Sequence, residues 1–291
     1  MRDFEFTAPR TLSEAVTLLA EKGQNARILA GGTDILVQMR AGRRTPERLV
    51  DVKGIPDLNQ LSYDAKQGLQ LGAAVPCYRI YQDATVAREY PGLIDCASLV
   101  GGIQIQGRAS VGGNLCNAAP SADCVPSLIA LETTCLIAGP KGTREVPVEE
   151  FCSAPGRNIL EDGEMLVSLR IPPPNPMSGA HYLRFIPRNE MDIAVVGVGS
   201  AVVLDGGGNS FVSARIALAS VAPTPVFAKA AGDALAGQQV SDKAIDQAAE
   251  AAMAAATPID DMRGTVRQRR HLVGVLTRRT LREAVRRAKE A

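Results

Sequence analysis

Two segments of the sequence combine a double glycine with polar residues. The first glycine segment, residues 29–35, reads Leu-Ala-Gly-Gly-Thr-Asp-Ile, and the second, residues 110–114, reads Ser-Val-Gly-Gly-Asn. Glycine adopts positive φ readily and leaves its N–H group uncovered, so converging amides can bind an anion. Neither segment contains lysine or arginine, which favours an anion held by amides and hydroxyls, such as a diphosphate linked to sugar hydroxyls, with Asp34 and Asp123 as hydroxyl acceptors. The alternative is that both segments only form tight corners.

Other kinds of catalytic site lack their usual side chains. The chain of 291 residues has two histidines, His181 and His271, and no tryptophan, but 27 glycines and 18 prolines. A histidine-rich metal site or a series of histidine-mediated proton transfers is therefore not expected. Residues 197–202 begin like a dinucleotide-binding G-x-G-x-x-G motif, but Val202 replaces the third glycine and the segment lies within a predicted strand. We expect the backbone to do much of the binding.

The six cysteines match no metal-binding pattern. No pair forms C-x-x-C, and the spacings differ from those of four-cysteine zinc and iron–sulfur sites. No secretory signal pattern opens the chain, so a disulfide framework is not expected. We predict no metal site and free thiols in a reducing cytoplasm. The cysteines are Cys77, Cys96, Cys116, Cys124, Cys135 and Cys152.

Charge and hydropathy exclude two further classes of protein. The formal net charge is +1, whereas proteins that bind nucleic acid or anionic membranes usually carry a basic excess. The longest nearly unbroken apolar run, residues 193–204, is shorter than the roughly 20 residues of a membrane-spanning helix. We therefore expect a cytoplasmic protein that neither binds nucleic acid nor spans a membrane.

The first glycine segment lies in a small predicted α/β unit. A strand, a helix that Thr11 or Ser13 can cap and Gly23 can end, and a buried strand over 26–30 precede the glycines. Residues 35–40 fit either a helix or a strand. A further strand is predicted at 48–52.

The second glycine segment lies among β-type segments and turns. The alternation in Ile103-Gln-Ile-Gln106 predicts a strand, and 78–90 and 93–100 have helical spacing. A helix is predicted from Ser121 to about Glu132, with a hydroxyl and a carboxylate suited to the unpaired amides of its first turn. Strands are also predicted at 69–72, 134–137, 144–148 and 165–171.

The proline cluster over residues 172–176 marks the clearest boundary in the chain, because repeated proline cannot continue a helix or a central strand. Two β-type runs at 193–204 and 211–219 follow it, and then two predicted helices at 242–256 and 267–289. Strands followed by helices indicate an α+β unit. The basic last helix is open to three interpretations: a packed surface helix, a docking helix for a partner subunit, or a contact with nucleic acid or membrane.

The glycine segments and their surroundings resemble a known family. Residues 28–40 and 109–123 together look like the FAD-binding medium subunit of the xanthine dehydrogenase family, the molybdenum hydroxylases that include carbon monoxide dehydrogenase. Residues 163–172 resemble the last strand of that family's FAD domain. Residues 188–194 and 261–271 resemble signatures of its C-terminal domain, so the resemblance covers nearly the whole chain.

The resemblance implies a two-domain α+β fold. A PCMH-type FAD-binding domain is expected over residues 1–175, with subdomains of about 1–57 and 58–175. A smaller α+β domain, like the C-terminal domain of the CO dehydrogenase flavoprotein, is expected over 180–291. FAD would bind in an extended form between the two N-terminal subdomains.

The resemblance also implies a set of cofactor-binding residues. The two glycine segments would hold the diphosphate and the ribityl chain, Asp123 would accept hydrogen bonds from cofactor hydroxyls, and Leu166 would pack on the flavin or the adenine. Arg184 is the nearest candidate for a family lysine near the flavin. Thr33 stands where some flavoproteins carry a histidine for covalent attachment, so non-covalent FAD is implied. The full set is Leu29, Ala30, Gly31, Gly32, Thr33, Asp34, Ile35, Ser110, Val111, Gly112, Gly113, Asn114, Asp123, Leu166 and Arg184.

Electron transfer is the function that the resemblance implies, with no catalytic acid or base in this chain. Substrate hydroxylation would take place in a large subunit carrying a molybdenum cofactor. Electrons would arrive through a small [2Fe–2S] subunit and leave to NAD+, O2 or a carrier protein, in a dimer of heterotrimers. The alternatives are a stand-alone FAD-dependent oxidase or reductase, which needs its own substrate pocket and base, and a scaffold protein that keeps the fold without flavin.

Overall fold

A three-stranded parallel sheet forms the N-terminal part of the computed structural model, which describes residues 2–188 and 191–291. Its elements are β1 Glu5–Thr7, α1 Leu12–Lys22, β2 Ala26–Leu29, α2 Ile35–Arg40 and β3 Arg48–Asp51. The strand order is β1-β3-β2. Helix α1 is capped as predicted, because Thr11 Oγ1 accepts a hydrogen bond from the N–H of Glu14 at 3.2 Å and Gly23 closes the helix at positive φ. The first glycine segment joins β2 to α2.

An antiparallel sheet and a group of short helices form the second part. The elements are β4 Leu61–Asp64, β5 Gly68–Gly72, α3 Cys77–Gln82, α4 Ala84–Glu89, α5 Pro91–Ala97, α6 Ile103–Gln106, α7 Val111–Cys116, α8 Cys124–Ala130, β6 Thr134–Gly139, β7 Gly142–Pro147, β8 Cys152–Ala154, β9 Arg157–Asn158 and β10 Met165–Ile171. The five-stranded sheet has the order β4-β5-β10-β6-β7, and β8 and β9 form a separate hairpin. The second glycine segment lies at the start of α7.

The strand predicted over residues 103–106 is wrong, because this stretch forms the short helix α6. The apolar and polar alternation is misleading here: Ile103 is exposed, whereas the side chain of Gln106 is buried. The Nε2 atom of Gln106 donates to the carbonyl oxygen of Ser98 at 2.7 Å. A buried amide satisfied by a backbone carbonyl follows no hydropathy pattern, so the alternation predicted the wrong element.

The helix predicted from Ser121 is shorter than expected. Helix α8 begins at Cys124 and ends at Ala130, and Asp123 makes no side-chain capping bond to it. The N–H of Cys124 instead donates to Oδ1 of Asn114 at 3.2 Å. All residues of α8 are buried, which is typical of a helix packed on more than one side.

The C-terminal part is a four-stranded antiparallel sheet covered by helices. Its elements are β11 Ser178–Phe185, β12 Val196–Leu204, β13 Phe211–Ala219, β14 Val226–Phe227, α9 Lys229–Asp233, α10 Asp242–Ala255 and α11 Val266–Glu290, with strand order β11-β12-β13-β14. Residues 172–176 connect β10 to β11. Gly199 lies within β12, where an added Cβ would stand 2.7 Å from the backbone carbonyl of Pro126 in α8. This glycine therefore permits close packing of α8 on the C-terminal sheet, and it is not part of a nucleotide-binding turn.

Hydrophobic clusters fill the space beside each of the three larger sheets. Within the described residues, no helix has the length and apolarity needed to cross a membrane. The same residues contain no group of three or more histidine, cysteine or acidic side chains arranged to hold a metal ion.

Candidate functional site

A cavity of about 850 Å³ opens between the N-terminal parallel sheet and the antiparallel sheet. Both glycine segments line it, together with residues from β2, α7, β10 and the β8–β9 hairpin. Eleven of the predicted site residues lie in its walls: Ala30, Gly31, Gly32, Thr33, Asp34, Ile35, Ser110, Gly112, Gly113, Asn114 and Leu166. The structure thus brings two segments that are far apart in the sequence to one cavity.

The two glycines of the first segment meet different constraints. A Cβ added to Gly31 would lie 2.1 Å from the backbone carbonyl oxygen of Arg108, two residues before the second glycine segment. Gly31 therefore allows the backbones of these two parts of the chain to approach closely. Gly32 has a φ of +80°, a backbone conformation that residues other than glycine rarely adopt. Asp34 lines the cavity, and partial loss of solvent around its carboxylate raises its pKa.

The second glycine segment is the first turn of α7, not an open turn. The N–H of Gly113 donates to Oγ of Ser110 at 3.0 Å, which caps the helix. A Cβ added to Gly112 would lie 2.5 Å from the carbonyl oxygen of Ala73, so this glycine allows the helix to approach the neighbouring backbone. A Cβ added to Gly113 would meet only Ser110 Oγ, at 3.0 Å. Gly113 therefore faces the space of the cavity and not the protein's own backbone.

Two amide side chains hold the segments in place. Nε2 of Gln38, on α2, donates to Oδ1 of Asn117 at 3.0 Å and so bridges the helices that follow the two segments. Asn114 accepts the hydrogen bond from Cys124 described above and fixes the start of α8. The first contact fixes α2 relative to α7, and the second fixes α7 relative to α8. Together they hold the two glycine segments in place.

Two predicted site residues support the segments from the core side. Leu29 is buried at the end of β2, and an atom of its side chain would lie 3.1 Å from a Cβ on Gly32. Val111 is buried in the hydrophobic cluster beside the antiparallel sheet. Leu166, in contrast, is a buried residue of β10 that also lines the cavity, so it supplies an apolar surface there.

Asp123 and Arg184 form a buried ion pair behind the cavity. Nη1 of Arg184 lies 2.6 Å from Oδ2 of Asp123, and the hydroxyl of Tyr182 donates to Oδ1 at 2.8 Å. Burial raises the pKa of Asp123 although Arg184 and Tyr182 act in the opposite direction. The structure therefore places both predicted residues at the contact between α8 and β11, with their charged groups turned to each other. Sequence reasoning did not identify Tyr182.

Arginines in the cavity wall were also missed. Arg27, Arg44 and Arg157 line the cavity, whereas the sequence suggested an anion held only by amides and hydroxyls. None of the three lies within a glycine segment; they come from β2, the loop after α2 and the hairpin. The basic residue at position 27, which precedes the first segment on its own strand, was the available signal.

The donor set of the cavity fits an extended dinucleotide. Backbone amides around the glycines suit a diphosphate, the Ser110 hydroxyl and the Asp34 carboxylate suit sugar hydroxyls, and Val100, Ala109 and Leu166 offer an apolar wall. Among the described residues, the lining contains no histidine. The cavity can thus bind a cofactor, but it provides no imidazole for general acid–base catalysis.

Comparison with known proteins extends over the full chain. The family model described as the FAD-binding domain in molybdopterin dehydrogenase matches residues 2–174, and the CO dehydrogenase flavoprotein C-terminal domain matches residues 181–284. The xanthine dehydrogenase FAD-binding subunit of Escherichia coli O157:H7 is 31% identical over 94% of both chains. The carbon monoxide dehydrogenase medium chain of Hydrogenophaga pseudoflava is 31% identical over 97% of this chain and 96% of its own length.

Solved structures agree with these matches. Reconstituted CO dehydrogenase from Oligotropha carboxidovorans aligns with a TM-score of 0.93 at 30% identity, covering 98% of this chain and 99% of that chain. Quinoline 2-oxidoreductase from Pseudomonas putida 86 aligns with a TM-score of 0.90 at 30% identity, covering 99% and 98%. The predicted two-domain α+β fold is confirmed. The chain therefore belongs to the family of FAD-binding medium subunits of xanthine and carbon monoxide dehydrogenases, the flavoprotein subunits of molybdenum-dependent oxidoreductases.

Proposed function

We propose that this chain binds FAD non-covalently and transfers electrons within a heterotrimeric molybdenum hydroxylase. The observation that carries the proposal is the single cavity lined by both glycine segments. When bound, FAD accepts electrons one at a time and releases them in pairs. The chain's own contribution is to bind and orient the cofactor and to limit the access of water to it.

Each part of the cavity has a proposed role. Other amides of the two glycine segments hold the diphosphate, since the N–H of Gly113 already donates to Ser110 Oγ. The space beside Gly113 admits the ligand, because a Cβ there would meet only that hydroxyl. Leu166 packs against a ring of the cofactor. Asp123 and Arg184 lie outside the cavity lining, and their proposed role toward the cofactor is to support it from behind. The pair supports the start of α8 and, through Cys124, the position of Asn114.

The domain boundaries are also part of the proposal. We assign residues 1–175 to the FAD-binding domain, with subdomains of about 1–57 and 58–175, and residues 180–291 to the second domain. In support, the parallel sheet ends at Asp51, the antiparallel sheet runs from Leu61 to Ile171, and the C-terminal sheet begins at Ser178. The cavity then lies between the two N-terminal subdomains.

The proposed partners are a large molybdenum-cofactor subunit and a small [2Fe–2S] subunit, assembled as a dimer of heterotrimers. The relatives named as a medium chain and as an FAD-binding subunit support a place among further chains. NAD+ or O2 is the proposed acceptor. The organic substrate would bind to the molybdenum subunit, and a cytoplasmic location stays a prediction from the sequence.

Co-expression with the neighbouring genes tests the electron-transfer role. We expect this chain to co-purify with two further subunits that contain iron and molybdenum. Substrate should bleach the flavin absorbance of the complex, and omission of this chain should stop acceptor reduction while substrate still reduces the iron–sulfur centres. A complex that reduces its acceptor equally well without this chain would contradict the proposal.

A further inference from the structure

Two arginines, Arg27 and Arg44, line the cavity. Arg27 is a partly buried residue of β2, and its Nη1 donates to the carbonyl oxygen of Ala26 at 2.9 Å. Arg44 is exposed in the loop after α2, where its N–H donates to the carbonyl oxygen of Gln38 at 3.4 Å. Gln38 in turn is bonded to Asn117 near the second glycine segment. Both arginines therefore lie in walls that also contain the glycine segments.

Neither arginine forms a direct ion pair within the described residues, although the charge of Asp162 acts on Arg27. Two acids in the same wall, Glu161 and Glu164, are paired with Lys141 and Arg144 instead. Asp162, whose charge acts on Arg27, accepts a hydrogen bond from Gln24. Burial lowers the pKa of Arg27, the charge of Arg44 lowers it further, and Asp162 raises it in part. An anion in the cavity would relieve the repulsion between the two arginines.

We infer that Arg27 and Arg44 bind the diphosphate of the dinucleotide and give the cavity a charge-dependent preference for it. This inference rests on the proposed FAD function. A guanidinium forms stronger hydrogen bonds to a phosphate than neutral donors do, and Arg27 is partly shielded from solvent, which strengthens the interaction. The amides of the glycine segments then set the position of the diphosphate, and the two arginines add affinity that depends on ionic strength.

Equilibrium titration of the apoprotein with FAD tests the inference. The variants are R27Q, R44Q and the double variant, and R43Q is the matched control because Arg43 is exposed beside Arg44 but does not line the cavity. We expect the Kd for FAD to rise about tenfold in each single variant at low salt. We also expect the Kd of the wild-type protein to increase with salt and the double variant to lose most of that dependence. The Kd for ADP, which carries a diphosphate but no flavin, should also rise in the double variant and stay unchanged in R43Q.

The alternative results can be separated. If R27Q and R44Q bind FAD as tightly as R43Q at low salt, or lose affinity equally at all salt concentrations, the inference is wrong while the proposed function stands. If the wild-type protein does not bind FAD, both fail. Because Arg44 is exposed, R44Q keeps the test informative even if R27Q lowers the stability of the fold, which thermal unfolding would reveal.

Discussion

The four glycines of the two segments meet different physical constraints. Gly31 and Gly112 allow close approach to the backbone at Arg108 and Ala73, and Gly32 adopts positive φ. At Gly113, unlike the other three, an added Cβ would meet only a side-chain hydroxyl. Substitutions at the first three therefore disturb the protein's own packing, while a substitution at Gly113 acts on the space available to a ligand.

The variant Gly113→Val should lose FAD while keeping its fold. A branched side chain at this position would fill the space in front of Ser110. The substitution should not destabilise the helix, because glycine is less favourable in a helix than other residues by up to about 1 kcal/mol. Flavin content after purification and thermal unfolding measure the two effects. Gly206→Val is the control, since a Cβ there would have no atom within 4 Å. Normal flavin content in Gly113→Val would remove this residue from the proposed diphosphate site.

Three elements of the structure meet at Asp95. This residue of α5 accepts hydrogen bonds from Arg287 of α11 at 2.7 Å and contacts Nδ1 of His181, on β11, at 2.6 Å. Burial alone would raise the pKa of Asp95, but the hydrogen bonds with His181 and Arg287 outweigh burial, so the pKa lies below the ordinary value of 3.8. The cluster joins the FAD-binding part of the chain to the C-terminal sheet and its last helix.

The variant Asp95→Asn should be less stable than the wild-type protein in a pH-dependent way. Because the folded-state pKa is lowered, the ionised carboxylate contributes stability above about pH 4, and that contribution is lost as the pH falls below this value. We expect Asp95→Asn to cost about 2 kcal/mol at pH 6, since it leaves Arg287 and His181 without their acceptor. Urea unfolding at pH 6 and at pH 3 measures the difference, which should shrink at the lower pH.

A surface ion pair provides the control for this prediction. Asp242 pairs with Arg282 at 2.8 Å, but its side chain is 77% exposed. Asp242→Asn should therefore change stability by no more than about 1 kcal/mol at either pH. A deficit in Asp95→Asn that is equally large at pH 3 would show that the cluster does not depend on the ionised carboxylate.

Sequence patterns predicted most elements because local signals controlled them. Thr11 and Gly23 delimit α1, and the proline cluster at 172–176 separates the second sheet from the third. The failures lie where tertiary contacts decide: buried Gln106 makes residues 103–106 helical, and Asp123 turns to Tyr182 and Arg184 instead of capping α8. A hydrogen bond to a partner that is distant in sequence leaves no periodic signal.

Across the full chain, the sequence predicted which segments build the site better than which side chains face it. The glycine segments converge as predicted on one cavity, and the resemblance correctly implied the two-domain fold. Arg27 and Arg44 were not predicted as lining residues, because their position depends on how β2 and the loop after α2 face the β8–β9 hairpin. Charge placement of this kind follows from the packing of whole subdomains.

Redox chemistry by a bound flavin is consistent with the side chains that line the cavity. A bound flavin supplies the redox chemistry, and the lining of the cavity has no histidine among the described residues. The relatives that cover nearly the whole chain are subunits of larger oxidoreductases. We therefore propose that the two glycine segments bind and position FAD.

Flavin content of the purified protein tests the central claim most directly. After addition of FAD and removal of excess ligand, we expect one FAD per chain, with the absorbance bands of an oxidised flavin. Acid precipitation should release all of this flavin into the supernatant, because binding is non-covalent. Folded protein that stays colourless after FAD addition would contradict the account.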